Sequence, residues 1–279
     1  MPNVLDRFAR RTMLARGYRS SRVPTPVGEV AALTHEGDPA GPHLTILHGW
    51  GSAGVHHALT ARPLRRHLRR LVLPDLPGHG FSTAPHDLCP DAMDTGLLHA
   101  MDVLHPEPQV VVGSSLGGLA AVRYALARPE RVQRLVLVSP FGAPMTDAER
   151  ARFLALVGGG TLANTKAFLD QLGPRPLRRN WVFAPELRRI FQRPAMQALL
   201  AHAPDMPLLT VAERDRLTMP VTVVWGEHER LLPERQLAFW GALPQGRVLR
   251  PARAGHSPAR DRPRWFRGLL QEELGLPQG

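Results

Sequence analysis

Gly113-Ser114-Ser115-Leu116-Gly117, set directly after the apolar run Val110-Val111-Val112, constrains this chain more than any other stretch. The run reads as a buried strand, and Leu119-Ala120-Ala121 onward reads as a helix. A strand that turns sharply into a helix strains the residue at the apex, so the residues two places to either side must be small. Gly113 and Gly117 meet that need when Ser115 is the apex. With Ser114 at the apex, Val112 would stand where a glycine is required.

A chain of 279 residues accommodates one large α/β domain, or a domain with an inserted cap. Its 43% hydrophobic content is ordinary for a globular protein, and no apolar run approaches the roughly 20 residues that span a bilayer. No apolar core of a secretory signal stands near the N-terminus, so a cytoplasmic location is expected. Cys89 is the only cysteine, which excludes an internal disulfide and a cysteine-cluster metal site. The net charge is +11 with a pI of about 11.3, and Lys166 is the only lysine, so nearly all the positive charge is arginine. A solvated arginine surface accounts for this bias along the whole chain. The sharper expectation is attraction to an acidic partner, or peripheral binding to an anionic membrane surface. Nucleic acid is not expected, because the basic residues are not interleaved with aromatics and no nucleic-acid module is present.

Residues 1–24 form a basic N-terminal segment with Arg7, Arg10, Arg11, Arg16, Arg19 and Arg22 among Val4, Leu5, Phe8, Met13 and Leu14. It is read as a helix packed on the domain, with a membrane-surface helix as the alternative. Val27 to Leu33 reads as a strand of an opening hairpin. Strands follow at His43–Leu47, Leu71–Leu73, Val110–Val112, Val132–Val138, Val221–Trp225 and Arg247–Arg250, with helical segments between them. That rhythm predicts an α/β fold with a mostly parallel, doubly wound sheet, whose functional loops follow the carboxyl ends of the strands. The core is expected at 25–142 and 213–279. Between 143 and 212 the helical patterns are broken by proline and glycine without a convincing strand, which predicts a helical cap over the functional edge. Phe153, Phe168, Trp181 and Phe183 in that segment, with Phe141 just before it, are candidates to line a substrate pocket.

A serine hydroxyl is a weak nucleophile and needs a base, which in turn needs an orienting acid. His256 is the candidate base among thirteen histidines, because Ala254-Gly255-His256-Ser257-Pro258 lies between the last strand and the terminal helix. After the strand Val221–Trp225, Gly226-Glu227-His228-Glu229 offers two carboxylates as candidate acids. The N–H of Leu116, at a helix N-terminus, suits an oxyanion. His48 and His79 read as braces for their loops, and Asp75 as a structural turn residue.

Five motifs stand in order: His48-Gly49-Trp50-Gly51, Asp75-Leu76-Pro77-Gly78-His79-Gly80-x-Ser82, the pentapeptide around Ser115, Trp225-Gly226-Glu227-x-Glu229, and Gly255-His256-x-Pro258. In these the chain resembles α/β-hydrolase fold serine hydrolases of the cap-bearing esterase and lipase kind, over roughly 25 to 142 and 213 to 275. The resemblance implies a triad of Ser115, Glu229 and His256, with Trp50 as the second oxyanion donor beside Leu116. It departs from the family in one respect: the acid is usually Asp, and Glu229 is one methylene longer. The implied activity is hydrolysis of a carboxylic ester or lipid with a medium or long acyl chain, without metal or organic cofactor. The loop at His48 also resembles that of carboxylesterases acting on acyl-carrier domains. Thioester or carbon–carbon hydrolysis, acyl transfer and cofactor-free peracid formation use the same triad, and a non-catalytic binding protein is the alternative outside enzymes.

Overall fold

Valine- and leucine-rich runs build an eight-stranded sheet, described here from a computed structural model covering residues 3–278. Residues 1, 2 and 279, which belong to the expected N-terminal segment and core, lie outside the described residues. The strands are β1 (Arg19–Thr25), β2 (Gly28–Glu36), β3 (His43–Leu47), β4 (Arg70–Pro74), β5 (Gln109–Ser114), β6 (Val132–Val138), β7 (Val221–Val224) and β8 (Gly246–Leu249). Their order is β1-β2-β4-β3-β5-β6-β7-β8, antiparallel from β1 to β4 and parallel thereafter.

Alternation along the strands divides the core in two. Leu47, Val111, Leu135, Leu137 and Val223 face one side, against α3 (Pro90–Leu104), α4 (Leu116–Ala127) and Trp240 of α10 (Arg235–Gly241). Leu44, Ile46, Val110, Val112 and Val136 face the other, against Met13 of α1 (Val4–Ala15), Ala58 of α2 (Val55–Ala61) and Phe266 of α12 (Pro263–Glu273). Both faces are covered, which is what makes these strands apolar throughout.

The opening hairpin differs from the expected strand Val27–Leu33. Its turn lies at Pro26-Val27, because Gly28 takes φ 123 and only glycine does so without strain. Pro24 is tolerated within β1 because β1 is an edge strand. The sheet therefore begins at Arg19, ahead of the expected boundary at 25.

Between β6 and β7 the chain forms α5 (Asp147–Val157), α6 (Leu162–Gln171), α7 (Ala184–Phe191), α8 (Pro194–His202) and α9 (Val211–Asp215), with no strand among the described residues. Capping boxes at Thr146/Glu149 and Thr210/Glu213 start the first and last of these helices. The layer has its own apolar cluster of Val157, Phe168, Ile190, Phe191 and Met196, which Leu231 and Trp50 join from the sheet edge. Helix α11 (Pro258–Asp261) precedes α12. No described helix is long and apolar enough to cross a membrane.

The contact between the end of β3 and α4 depends on glycine. A Cβ on Gly117 would lie 2.4 Å from the His48 carbonyl oxygen and 2.5 Å from that of Leu47. Gly117→Ala is therefore expected to destabilise the fold by about 1–3 kcal/mol, by forcing backbone rather than a flexible side chain to move. Denaturant unfolding of the two proteins measures this.

Candidate active site

β5 ends at Ser114 and α4 begins at Leu116, leaving Ser115 alone between them at φ 53, ψ −118. Such a conformation costs a non-glycine residue about 1–3 kcal/mol and persists only where its surroundings enforce it. Here the Ser115 N–H donates to the Val138 carbonyl at 3.0 Å, and the Ser115 carbonyl accepts from Phe141 N–H at 3.0 Å and Gly118 N–H at 2.8 Å. A Cβ on Gly113 would sit 2.4 Å from the Gly117 carbonyl oxygen, and one on Gly49 would sit 3.1 Å from the Ser115 Cβ. Both glycines thus let neighbouring backbone close around the serine, whose side chain borders two pockets while the residue is only 7% exposed.

The loops after β7 and β8 are tied to each other. Glu227 N–H donates to the Pro251 carbonyl at 3.3 Å and His228 N–H to that of Ala254 at 2.9 Å. A Cβ on Gly226 would strike the Gly255 carbonyl oxygen at 2.2 Å, so this approach also needs glycine. Joined in this way, the loops bring Glu229 Oε2 to 2.8 Å from His256 Nδ1, with both side chains buried. The other oxygen, Oε1, accepts the N–H groups of Leu231 at 2.8 Å and Leu232 at 3.1 Å. The longer glutamate side chain therefore spans a turn and the imidazole at once. Burial alone would raise the Glu229 pKa, but His256, the Ser139 hydroxyl and the Leu232 N–H together hold it below the ordinary value. Glu227 is half-exposed and accepts only the Arg253 N–H, at 3.0 Å, and an ion pair with His228.

The first two loops of the parallel sheet are braced by buried polar groups. His48 Nε2 accepts the Leu76 N–H at 3.0 Å, and its Nδ1 lies 2.8 Å from the Gly49 carbonyl oxygen. Asp75 accepts the N–H groups of Gly54 at 2.6 Å and Phe81 at 2.8 Å. Burial pushes the pKa of His79 down to about 4 and that of His48 well below the ordinary range, so both rings stay neutral at pH 7. Trp50 stands in the first loop, its indole N–H donating to the Val157 carbonyl at 3.1 Å, so its side chain is anchored to the helical layer. The Leu116 N–H is in the first turn of α4, where a helix leaves its N–H groups without internal partners.

Two pockets meet at Ser115. One is narrow and walled by Phe141, Met145, Phe153, Leu154, Leu199 and Leu200. The second is a wider groove that reaches His256 and is lined by Phe153, Phe168, Phe183 and Leu187. Trp181 borders neither pocket, in contrast to expectation. Its indole N–H donates to Asp170 at 3.1 Å and its ring carries Lys166 and Arg178, so the polar partners of the indole hold it on the outer side of the layer.

Two supporting residues escaped the sequence reading. Asp261 accepts the Gly255 N–H at 2.9 Å, positioning the His256 loop, and Ser139, at φ 41, lies beside Glu229. The short spacing from His256 to Asp261 was the available signal for the first; nothing local marks the second. Away from the site, His43, His105 and Glu107 cluster at the amino ends of β3 and β5, with His43 Nδ1 and His105 Nε2 hydrogen-bonded at 2.6 Å.

Residues 42–263 match the model of the α/β hydrolase fold family. A pimeloyl-[acyl-carrier protein] methyl ester esterase of Nitrosomonas europaea is 31% identical over 256 residues, covering 85% of this chain and 97% of the relative. Among solved structures, a 2-hydroxy-6-oxo-6-phenylhexa-2,4-dienoate hydrolase from a Rhodococcus species superposes with TM-score 0.72 at 26% identity, covering 91% of this chain and 98% of that one. A carboxylesterase of Bacillus subtilis superposes with TM-score 0.77 at 19% identity, covering 98% of each chain, a likeness of fold alone.

Proposed function

The chain belongs to the α/β hydrolase fold family as an ester-hydrolysing enzyme, and we propose that it cleaves a carboxylic ester of medium acyl length through an acyl-enzyme on Ser115. What carries the reading is the buried Glu229–His256 hydrogen bond, at 2.8 Å, opening on the same groove as the strained Ser115. Glu229 occupies Nδ1, which leaves Nε2 of His256 for the serine proton. Ser115 Oγ attacks the acyl carbon while Nε2 accepts its proton, and Glu229 stabilises the imidazolium that results. The N–H groups of Leu116 and Trp50 receive the oxyanion of the tetrahedral intermediate. The ester C–O bond then breaks, and His256 returns the proton to the leaving alcohol. Water, deprotonated by His256, repeats the addition at the acyl-enzyme carbonyl, and the carboxylic acid leaves as Ser115 regains its proton.

The apolar lining of the narrower pocket suits the acyl chain, and the groove suits the alcohol or a larger leaving group. We read 143–212 as the cap that roofs both. Arg175, Arg178, Arg179 and Arg189 are exposed on this segment, with Arg188 and Arg193 half-buried among them. Together with the name of the Nitrosomonas relative, they favour an acidic carrier domain as the group bearing the ester.

A p-nitrophenyl ester series tests the reading. Turnover is expected to peak at medium acyl length and to fall once the chain outgrows the pocket. Leu154→Trp, which fills that pocket, should shift the optimum to shorter esters and lower kcat/KM for the original optimum by about tenfold or more. A folded protein that turns over no ester of the series would overturn the proposal.

A further inference from the structure

Helix α1 buries Asp6 and Arg10 beside Met13 and shows Val4, Leu5 and Phe8 to solvent. Asp6 is 4% exposed and Arg10 is 9% exposed, whereas Val4 is 69% and Phe8 is 70% exposed. The buried side is held by polar bonds: Asp6 meets His56 Nε2 at 2.8 Å, and Arg10 donates to Ser20 Oγ and lies 4.2 Å over the Phe81 ring. A soluble helix normally points these classes the other way. Leu59 of α2 extends the outward apolar surface, and exposed Val182 and Phe183 stand across the groove. Leu5, Leu59 and Phe183, all exposed, line the groove that reaches Ser115 and His256.

Cations are interleaved with them. Arg7 and Arg11 on α1 and Arg16 just after it are exposed, and no carboxylate pairs with them among the described residues. An acidic protein would satisfy the guanidinium groups and leave Val4 and Phe8 without a partner. A lipid surface takes both: aliphatic and aromatic groups enter below the headgroups, and arginines meet the phosphates.

We propose that α1, with Leu59 and Phe183, is a docking surface for an anionic phospholipid bilayer that sets the mouth of the groove against the membrane. The docking does not rest on the ester-hydrolase reading. The test is flotation of the full chain with phosphatidylcholine vesicles, with or without phosphatidylglycerol, across a salt series. Binding is expected to the anionic vesicles only and to weaken with salt. The V4S/F8S double variant should bind at least tenfold more weakly, and R7Q/R11Q should lose about fivefold per arginine at low salt. V4S/F8S should hydrolyse a short soluble ester at the wild-type rate, since neither residue borders the pockets. Three results would overturn the proposal: no binding to anionic vesicles, full binding by V4S/F8S, or a solution dimer that V4S/F8S dissociates without any vesicle binding. Ester turnover in wild type is read separately, so failure of docking and failure of the catalytic reading are distinguishable.

Discussion

Ser115→Ala is expected to lower kcat for the best ester by roughly 10⁴- to 10⁶-fold. The loss follows from chemistry: no other side chain at the apex between β5 and α4 can form the acyl-enzyme. What survives is catalysis by binding and by the N–H groups of Leu116 and Trp50, which the substitution leaves in place. The fold should be intact, because the hydrogen bonds that hold the apex, to Val138, Phe141 and Gly118, all use Ser115 backbone atoms. Burst kinetics with a p-nitrophenyl ester, with a melting curve on the same samples, measures both. Equal turnover by wild type and a well-folded variant would remove Ser115 from the mechanism.

Glu229→Gln should cost about 10⁴-fold in kcat, the scale of losing the acceptor that fixes the tautomer of a catalytic histidine. Glu227→Gln should change kcat little, because Glu227 is half-exposed and faces Arg253 and His228 instead. The reverse ranking would sink the assignment. Glu229→Asp should fall between them, since a carboxylate one methylene shorter cannot keep both His256 and the N–H groups of Leu231 and Leu232. The pH dependence of stability follows from the same geometry. Burial opposes ionisation of Glu229, but its partners outweigh burial and hold its folded pKa below the ordinary 4.5. A carboxyl with a depressed folded pKa contributes stability above its unfolded pKa and loses it as pH falls through the folded one. Wild type should therefore lose stability in acid below about pH 4.5 more steeply than Glu229→Gln. Denaturant midpoints over an acid pH series give the comparison, and parallel curves would contradict it.

The central parallel strands β5, β6 and β7 were legible because each carries a run of β-branched and leucine residues, most of them buried. His43–Leu47 and Val132–Val138 coincide with β3 and β6 to the residue. The opening hairpin was less legible, because β1 is an edge strand with serines, arginines and a proline, and its pairing with β2 supplies what its composition does not. No local signal marks the direction of Trp181, because an aromatic side chain on a short helix gives no sign of it. Its bond to Asp170 and its cationic neighbours set that direction.

By itself the sequence determined the strand–turn–helix at Ser115, because a strained apex flanked by glycines is a local property of a few residues. It also determined the order of the loops at the sheet edge, since each follows a strand readable from its own apolar run. Only the tertiary structure decided how Glu229 meets His256, 27 residues apart in sequence, because hydrogen bonds between two loops and a turn at Leu231 and Leu232 set the reach of the side chain. It alone decided that α1 buries Asp6 and Arg10 and exposes Phe8, since the orientation of a short helix is chosen by its partners on the domain, here His56, Ser20 and Phe81.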